Sequence, residues 1–554
     1  MSALTDRVRY LLRNLNPEES ADYESVKAAV LTELKLSPAE YLQRFERAVK
    51  RKEETWAQFA SRVKTYFSYY LQVREADSVE VMAELMVADR IKSGLSTDGL
   101  ESSAEVPTTP DVTGSSIVGK TLYLTPFIKA GKLEHAKSLS KVGRIGADKE
   151  VTSYAGYITV NPEFNSNLFF WFVPSMTTPD IAPVLLWLQG GPGSSSLMGF
   201  FVEHGPYQLS KDGKEVKYRG RTWARRLSML YVDHPVGTGY SFTESESGYA
   251  RDMTDVGRDM LEFLQQFFTL FGELAQNEFY VTGESYAGKY VPTIGAVLHQ
   301  NAATMRVKIN FRGIAIGNGF TDPVNMLGFG ELLYGFGLID RISADYMMHV
   351  ADQAADCIRS GLMRDAAVLM DRLFFGVLHE STFFKNVTGM HYYYNLLQDS
   401  PPKDNSAYMT FVQRPELRRA LHVGNQTFHM SRTAVASHFY EDLLNSAKPQ
   451  FTVVVEGGYK VLVYSGNLDM AMSTTQTENF LSQVDWSHAG RWYREPRTIW
   501  RSSDGRLLYG YKKTVENLNF VVVRNGGHLL AFDRPKVAYE LITAFIENRH
   551  PFKG

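Results

Sequence analysis

The stretch FYVTGESYAGKYVP, Phe279 to Pro292, decides how the chain is read. A β-rich apolar run ends at Thr282, a helix is expected from Ala287 onward, and Ser285 stands at the junction among small residues. A serine on such a sharp strand-to-helix turn is presented at the carboxyl edge of a sheet, with the helix N-terminus aimed at it. The same turn also suits a serine chosen only for its size. A hydroxyl is a weak nucleophile until a base takes its proton, so the reading turns on partners elsewhere in the chain.

On an α/β sheet those partners follow in the order Ser, Asp, His, each just after a later strand. VLVYSGNLDMAM places Asp469 after an expected strand Lys460 to Ser465, and FVVVRNGGHLLAF places His528 after Phe520 to Val523. Alone, Asp469 reads as a turn or N-cap residue and His528 as a hydrogen-bonded loop histidine. Together, in order and in context, they point to a catalytic triad. Acyl transfer also needs N–H donors for the oxyanion of the tetrahedral intermediate. The residue after the nucleophile, Tyr286, supplies one, and the Gly-rich loop of LLWLQGGPGSSS supplies the other through Gly191. That loop lacks the Gly-Lys-Ser/Thr ending of a phosphate cradle.

The short apolar runs Val184 to Leu188, Leu227 to Val232, Phe279 to Thr282, Gly313 to Asn318, Lys460 to Ser465 and Phe520 to Val523 alternate with amphipathic helical stretches. Such alternation predicts an α/β fold with a mostly parallel sheet covered on both faces. Between about 324 and 430 the pattern turns irregularly helical, as expected of an inserted cap. Residues 1–97 form a separate expectation: Trp56, Phe59, Ala60, Val63, Phe67 and Leu71 make one stripe of a 3.6-period helix, so a small all-α helical domain is placed there. A Ser/Thr/Pro/Gly-rich linker follows at 98–118, and the α/β domain spans 119–554.

Composition sets the bounds. At 554 residues, 44% hydrophobic and 13% aromatic, the chain can bury a large core and divide into more than one domain. A formal charge of −2 implies neither nucleic acid nor anionic membrane as a partner. Cys357 is the single cysteine, which excludes an intrachain disulfide and a cysteine-based zinc site and leaves a core thiol as the expectation. No metal and no cofactor is expected. Arg7, Arg9 and Arg13 break the N-terminal apolar positions, so a signal peptide is not expected there, and no run approaches the length of a membrane helix.

WLQGGPGSSSLMGFFVEHGP, MLYVDHPVGTGYSF, FYVTGESYAGKYVP, GIAIGNGFTDP, LHVGNQTF, VLVYSGNLD and GGHLLAFDRP together resemble the serine carboxypeptidases, and among them the vitellogenic-like group, over about Lys120 to Phe552. The resemblance implies an α/β-hydrolase fold with a helical cap and removal of single residues from peptides with a free C-terminus. It implies Ser285 as nucleophile, Asp469 as orienting acid and His528 as base, with Gly191 and Tyr286 as oxyanion donors. It further implies an acid pair, Glu284 and Glu203, that receives the substrate's terminal carboxylate, with Gln189 and Gly190 beside it. Two close carboxyls do not both ionise cheaply, so one keeps a proton to donate and acidic pH is favoured.

The departures are also legible. Gln189 stands where the family's usual loop has Asn, Ala531 where proline is usual, and Ser194 with a lone Cys357 where the family usually carries disulfides. Asn386 and Asn425 begin sequons that read as glycan sites in a secreted protein. The resemblance implies a lysosome-like or secreted setting, which the N-terminus contradicts. LSPAEYLQRFERAVKRKEETWAQFASRVKTYFSYYL is similar to SCAN and retrotransposon Gag-like helices, which implies self-association through that segment. Lys50, Arg51 and Lys52 there read as solvated helix surface. Two alternatives to hydrolysis stay open at this level: an acyltransferase using the same machinery, and an inactive scaffold that assembles through the N-terminal helices.

Overall fold

Six of the apolar runs become the parallel centre of a ten-stranded sheet. The computed structural model describes residues 118–552 apart from 211, 378–380, 403–405 and 432. The helical domain expected at 1–97, the self-association assigned to it, and all but the last residue of the linker lie outside the described residues. The strands are β1 (Tyr154–Asn161), β2 (Ser166–Val173), β3 (Val184–Leu188), β4 (Tyr207–Leu209), β5 (Val216–Tyr218), β6 (Ser228–Val232), β7 (Phe279–Glu284), β8 (Phe311–Gly317), β9 (Lys460–Gly466), β10 (Thr498–Arg501), β11 (Leu508–Val515) and β12 (Leu518–Val523). In the sheet they run β1-β2-β6-β3-β7-β8-β9-β12-β11-β10, while β4 and β5 pair separately. The steps from β6 to β12 are all parallel, and antiparallel strands extend the sheet at both edges.

Strands covered on both faces have no solvent side to mark with polar residues, which is why β3 is an unbroken apolar run and β6 and β7, apolar except for Ser228 and the Thr282–Glu284 end, are likewise buried at every position. Side chains still alternate across the sheet. Val184, Leu186 and Leu188 enter one core, and Leu185 and Trp187 the other. The edge strands β1, β2, β10 and β11 escape the alternation argument. β1 and β11 mix glycine, lysine and threonine with their apolar residues, and β2 is joined to β1 by a hairpin rather than a helix.

The first core lies under the helices Met253–Leu270, Ala287–Gln300 and Lys448–Glu456, and the second under Pro535–Ile546. Met253–Leu270 starts where the Asp252 carboxylate accepts the amides of Thr254 and Asp255, and it buries Phe263, Phe267 and Phe268. Phe267 is fully buried, with ring centroids 5.8 Å from Phe170, 5.2 Å from Phe172 and 4.9 Å from Phe271. This aromatic cluster fastens the helix to the sheet.

The insertion expected at about 324–430 is helical, and its apolar residues divide between the two cores. Arg341–Arg359 and Met363–Met370 pack with Phe329, Phe374 and Phe384 as an extension of the first core. Tyr408, Phe411, Leu417 and Leu421 instead belong to the second core. The segment therefore crosses from one side of the sheet to the other. Its apolar spacing fits either side, and only the tertiary partners separate the two. Cys357 is a half-buried free thiol packed against the first core, and Asn386 and Asn425 are both exposed.

Phe267→Ala removes the centre of the aromatic cluster. The expected cost is about 3–5 kcal/mol, seen as a lower thermal midpoint of the full chain; an unchanged midpoint contradicts this account of how the helix is held.

Candidate active site

At the end of β7 the chain turns into the helix Ala287–Gln300 within two residues, and Ser285 takes φ 62 to make that turn. A left-handed backbone is costly for a side chain with a Cβ and persists only where neighbours enforce it. Here the Ser285 amide donates to the Gly317 carbonyl at 3.0 Å, while its own carbonyl accepts from Gly288 at 2.8 Å and Phe320 at 2.9 Å. The seryl hydroxyl is left half-exposed at the carboxyl edge of the sheet.

The Gly-rich loop after β3 lies directly on this turn. A Cβ on Gly190 would stand 2.5 Å from the Tyr286 nitrogen and 2.6 Å from the Ser285 Cβ, so only glycine fits. Gly191 follows at φ 115, again a glycine conformation. Among the described residues neither the Gly191 nor the Tyr286 amide has an acceptor, and both residues line the same pocket as Ser285.

Asp469 follows β9 and His528 follows β12, which is parallel to it. His528 Nδ1 lies 2.7 Å from Asp469 Oδ2, and because a carboxylate only accepts, Nδ1 carries the proton. Asp469 also accepts from Asn318 Nδ2 at 2.6 Å and from the amides of Ala471 at 2.8 Å and Met472 at 3.1 Å. The His528 ring stacks on Tyr394 at 4.3 Å, and its amide donates to the Tyr394 carbonyl at 2.6 Å. This pins the ring with Nε2 buried and without a partner, in the wall of the pocket that Ser285 lines. Phe320, Phe375, Tyr393, Leu443 and Met472 supply the apolar remainder of that pocket.

Glu284 and Glu203 are both only 1% exposed. Gln189 Nε2 donates to Glu284 Oε1 at 2.6 Å, and Gln189 Oε1 accepts the Trp187 indole N–H at 3.1 Å, which leaves the amide one orientation. Glu203 ends the π-helical turn Gly199–Glu203, and its contact with the Glu284 carboxyl is a hydrogen bond only when one of the two acids carries a proton. Burial pushes its carboxyl up to about 7, against smaller opposing contributions from Glu284 and Gln189. Burial, followed by the nearby charge of Glu203, raises Glu284 well above the carboxylate range. The two titrate as a pair that holds a proton toward neutrality. Glu203, which the resemblance alone singles out in the sequence, is buried in the structure.

Three supporting residues went unread in the sequence. Asn318, at the end of β8, holds Asp469. Tyr394 carries the His528 ring. Asp233, after β6, accepts from Ser195 Oγ at 2.6 Å, the Ser196 amide at 3.0 Å and the Tyr240 amide at 2.8 Å, tying the Gly-rich loop to the loop after β6. Asn318 and Asp233 each follow a strand's carboxyl end, the position that marks functional residues in open α/β sheets, whereas Tyr394 lies in the insertion between β8 and β9.

A family model described as serine carboxypeptidase matches residues 145–548. The chain is 42% identical to the probable serine carboxypeptidase CPVL of Homo sapiens over 442 residues, 79% of this chain and 92% of that protein. It is 42% identical to the venom serine carboxypeptidase of Apis mellifera, covering 78% and 92% respectively, and 40% identical to the vitellogenic carboxypeptidase of Aedes aegypti, covering 78% and 91%. The solved structure of a prohormone-processing carboxypeptidase, Kex1, from Saccharomyces cerevisiae shares the fold with a TM-score of 0.61 at 19% identity, covering 74% of this chain and 96% of that one.

The acid pair makes stability depend on pH. An unfolded glutamate releases its proton near 4.5, whereas folded Glu203 keeps it to about 7, so the native state binds more protons between those values. Its contribution is full below about 4.5 and is lost as pH rises through about 7. The thermal midpoint should therefore fall across that window, and Glu203→Gln, neutral at every pH, should flatten the fall. Parallel profiles for the two proteins would remove the pair as its source.

Proposed function

Because the chain belongs to the serine carboxypeptidase family, we propose that Ser285, His528 and Asp469 are the triad with which it removes C-terminal residues from peptides. The observation that carries the assignment is the Asp469–His528 contact at 2.7 Å, with the unpartnered Nε2 turned to the pocket that Ser285 lines.

The scissile carbonyl lies over Ser285 with its oxygen toward the Tyr286 and Gly191 amides. His528 Nε2 takes the hydroxyl proton as Oγ bonds to the carbonyl carbon, and Asp469 holds the resulting imidazolium. The negative charge that develops on the oxygen meets two amides already in place, so they need no reorganisation. His528 then protonates the leaving amine, the C–N bond breaks and the terminal amino acid departs. Water enters, loses a proton to Nε2 and attacks the acyl-enzyme; the proton returns to Oγ as the shortened peptide leaves with a new carboxylate.

Terminal specificity falls to the acid pair. A protonated carboxyl of Glu203 or Glu284 donates to the substrate's carboxylate, and Gln189 keeps Glu284 aimed. When the pair loses its proton the site presents negative charge to negative charge. The penalty falls on substrate binding, so KM rises as pH passes about 7, the value to which burial lifts Glu203.

Release of the terminal amino acid from a blocked dipeptide, followed from about pH 4 to 8, tests both parts. Ser285→Ala should lower kcat by about a thousandfold or more, and wild-type KM should climb above about pH 7 with a smaller change in kcat. A Ser285→Ala protein of undiminished activity refutes the nucleophile, and a KM flat through pH 8 refutes the role of the acid pair.

A further inference from the structure

The helix Thr433–His438 and the turn after it have two unlike faces. Val435, Phe439 and Leu443, four residues apart, point inward. Val435 would lie 2.8 Å from a Cβ on Gly193, Phe439 packs 6.3 Å from the Tyr286 ring, and Leu443 lines the catalytic pocket. Ser437, His438, Tyr440 and Glu441 instead line a cleft of about 630 Å³ whose other walls are Arg251 and the insertion residues Arg364 and Val368.

Two guanidinium groups, Arg251 and Arg364, face this cleft beside one histidine. His438 Nδ1 lies 2.7 Å from the Ala434 carbonyl and Nε2 lies 3.1 Å from a Glu246 carboxylate oxygen. Its ring stacks on Tyr249 at 4.6 Å. Among the described residues no carboxylate lies within ion-pair distance of the Arg251 or Arg364 guanidinium, whereas the nearby acids are engaged: Asp252 caps a helix, Asp255 pairs with Arg258, and Glu246 pairs with His438. The Tyr440 hydroxyl is closed off from solvent without a partner. Glu441 is the one acid in the lining.

We infer that this cleft binds acidic side chains of the peptide substrate upstream of the scissile bond, which makes the enzyme selective for acidic peptide tails. The inference rests on the catalytic reading above, because that reading sets the direction of the chain. The terminal carboxylate lies at Glu203 and Glu284, so the remainder of the peptide leaves past Tyr286 and Leu443, the side on which the cleft lies. One helix about 10 Å thick separates pocket from cleft, and an extended chain covers that distance in about three residues. A blocked dipeptide does not reach it. A residue three to five places from the C-terminus does.

The test compares N-acetylated hexapeptides that share their last two residues and carry Asp and Glu, or Asn and Gln, at the preceding positions. Each rate is divided by the same protein's rate on the blocked dipeptide, which corrects for any general loss of activity. At low ionic strength the wild type should favour the acidic peptide by about tenfold in kcat/KM. The preference should shrink in high salt, where exposed charges are screened, and fall to one or below in the Arg251→Glu/Arg364→Glu double variant. Equal rates in the wild type, or a preference that survives the double reversal, overturn the proposal. Anisotropy of a fluorescent acidic peptide keeps the two readings separate. If no substrate is cleaved, the catalytic assignment fails, while binding that the double reversal abolishes upholds the cleft and binding that it leaves unchanged overturns it.

Discussion

A serine held at φ 62 between β7 and the helix Ala287–Gln300 is the constraint on which the rest of the site depends. A non-glycine residue in that region costs on the order of 1–3 kcal/mol, and the surrounding structure must supply it. It does so with the Gly317 carbonyl on one side and the Phe320 and Gly288 amides on the other, each of which belongs to an element already fixed by the parallel sheet. The strain has a consequence for chemistry. It lifts the hydroxyl off the sheet and turns the Tyr286 amide outward, against a loop that only glycine at position 190 allows so close. The proposed nucleophile and oxyanion donors are thus one backbone feature, set before any substrate arrives.

The acid pair is the opposite case, a site in which energy is spent on charge rather than on backbone. Two carboxyls at 1% exposure would each suffer several kcal/mol of desolvation if ionised alone. Sharing a proton is the cheaper solution, and in the proposed function it converts a liability into a donor for another carboxylate. Gln189 is the hinge of that arrangement. Its oxygen is committed to the Trp187 indole, so its nitrogen has to face Glu284. Asparagine, one methylene shorter, would not span the same two partners at the same backbone position. The presence of glutamine here is therefore matched to the tryptophan two residues earlier.

How much of this was legible beforehand follows from the physics of each element. The parallel strands announce themselves because burial on both faces leaves them largely apolar, and Ser285, Asp469 and His528 announce themselves because each follows such a strand. Asn318 and Asp233 occupy equivalent places, yet a single Asn or Asp after a strand has too many ordinary uses to be singled out. Tyr394 acts through its ring face and its carbonyl, and neither has a sequence signature. The burial of Glu203 was hidden for a different reason: it depends on a π-helical turn that the pattern GFFVE does not distinguish from an exposed helix end. The split of the insertion between two cores was hidden because apolar spacing reports that a face is buried, not which neighbour covers it.

With Cys357 as its single thiol, the chain must join the catalytic loop to the insertion without disulfides. Ser194 and Ser431 form an antiparallel bridge, as do Gly239 and His429, and the Ser195 amide donates to the Met430 carbonyl at 2.9 Å. On the nucleophile's helix, fully buried Lys289 reaches Asp442 at 2.7 Å and the Tyr286 hydroxyl at 3.2 Å. Burial lowers the Lys289 ammonium's affinity for its proton, and the Asp442 charge works against that loss. Such a pair adds little net stability over an apolar replacement, but breaking it leaves a buried charge, so it enforces one register between the helix and the segment 433–443. A disulfide would also have restricted the unfolded chain. Hydrogen bonds and ion pairs do not, so they align the site while the two sheet cores carry the stability. The positioning of the catalytic loop is in this way separated from the energy that keeps the domain folded.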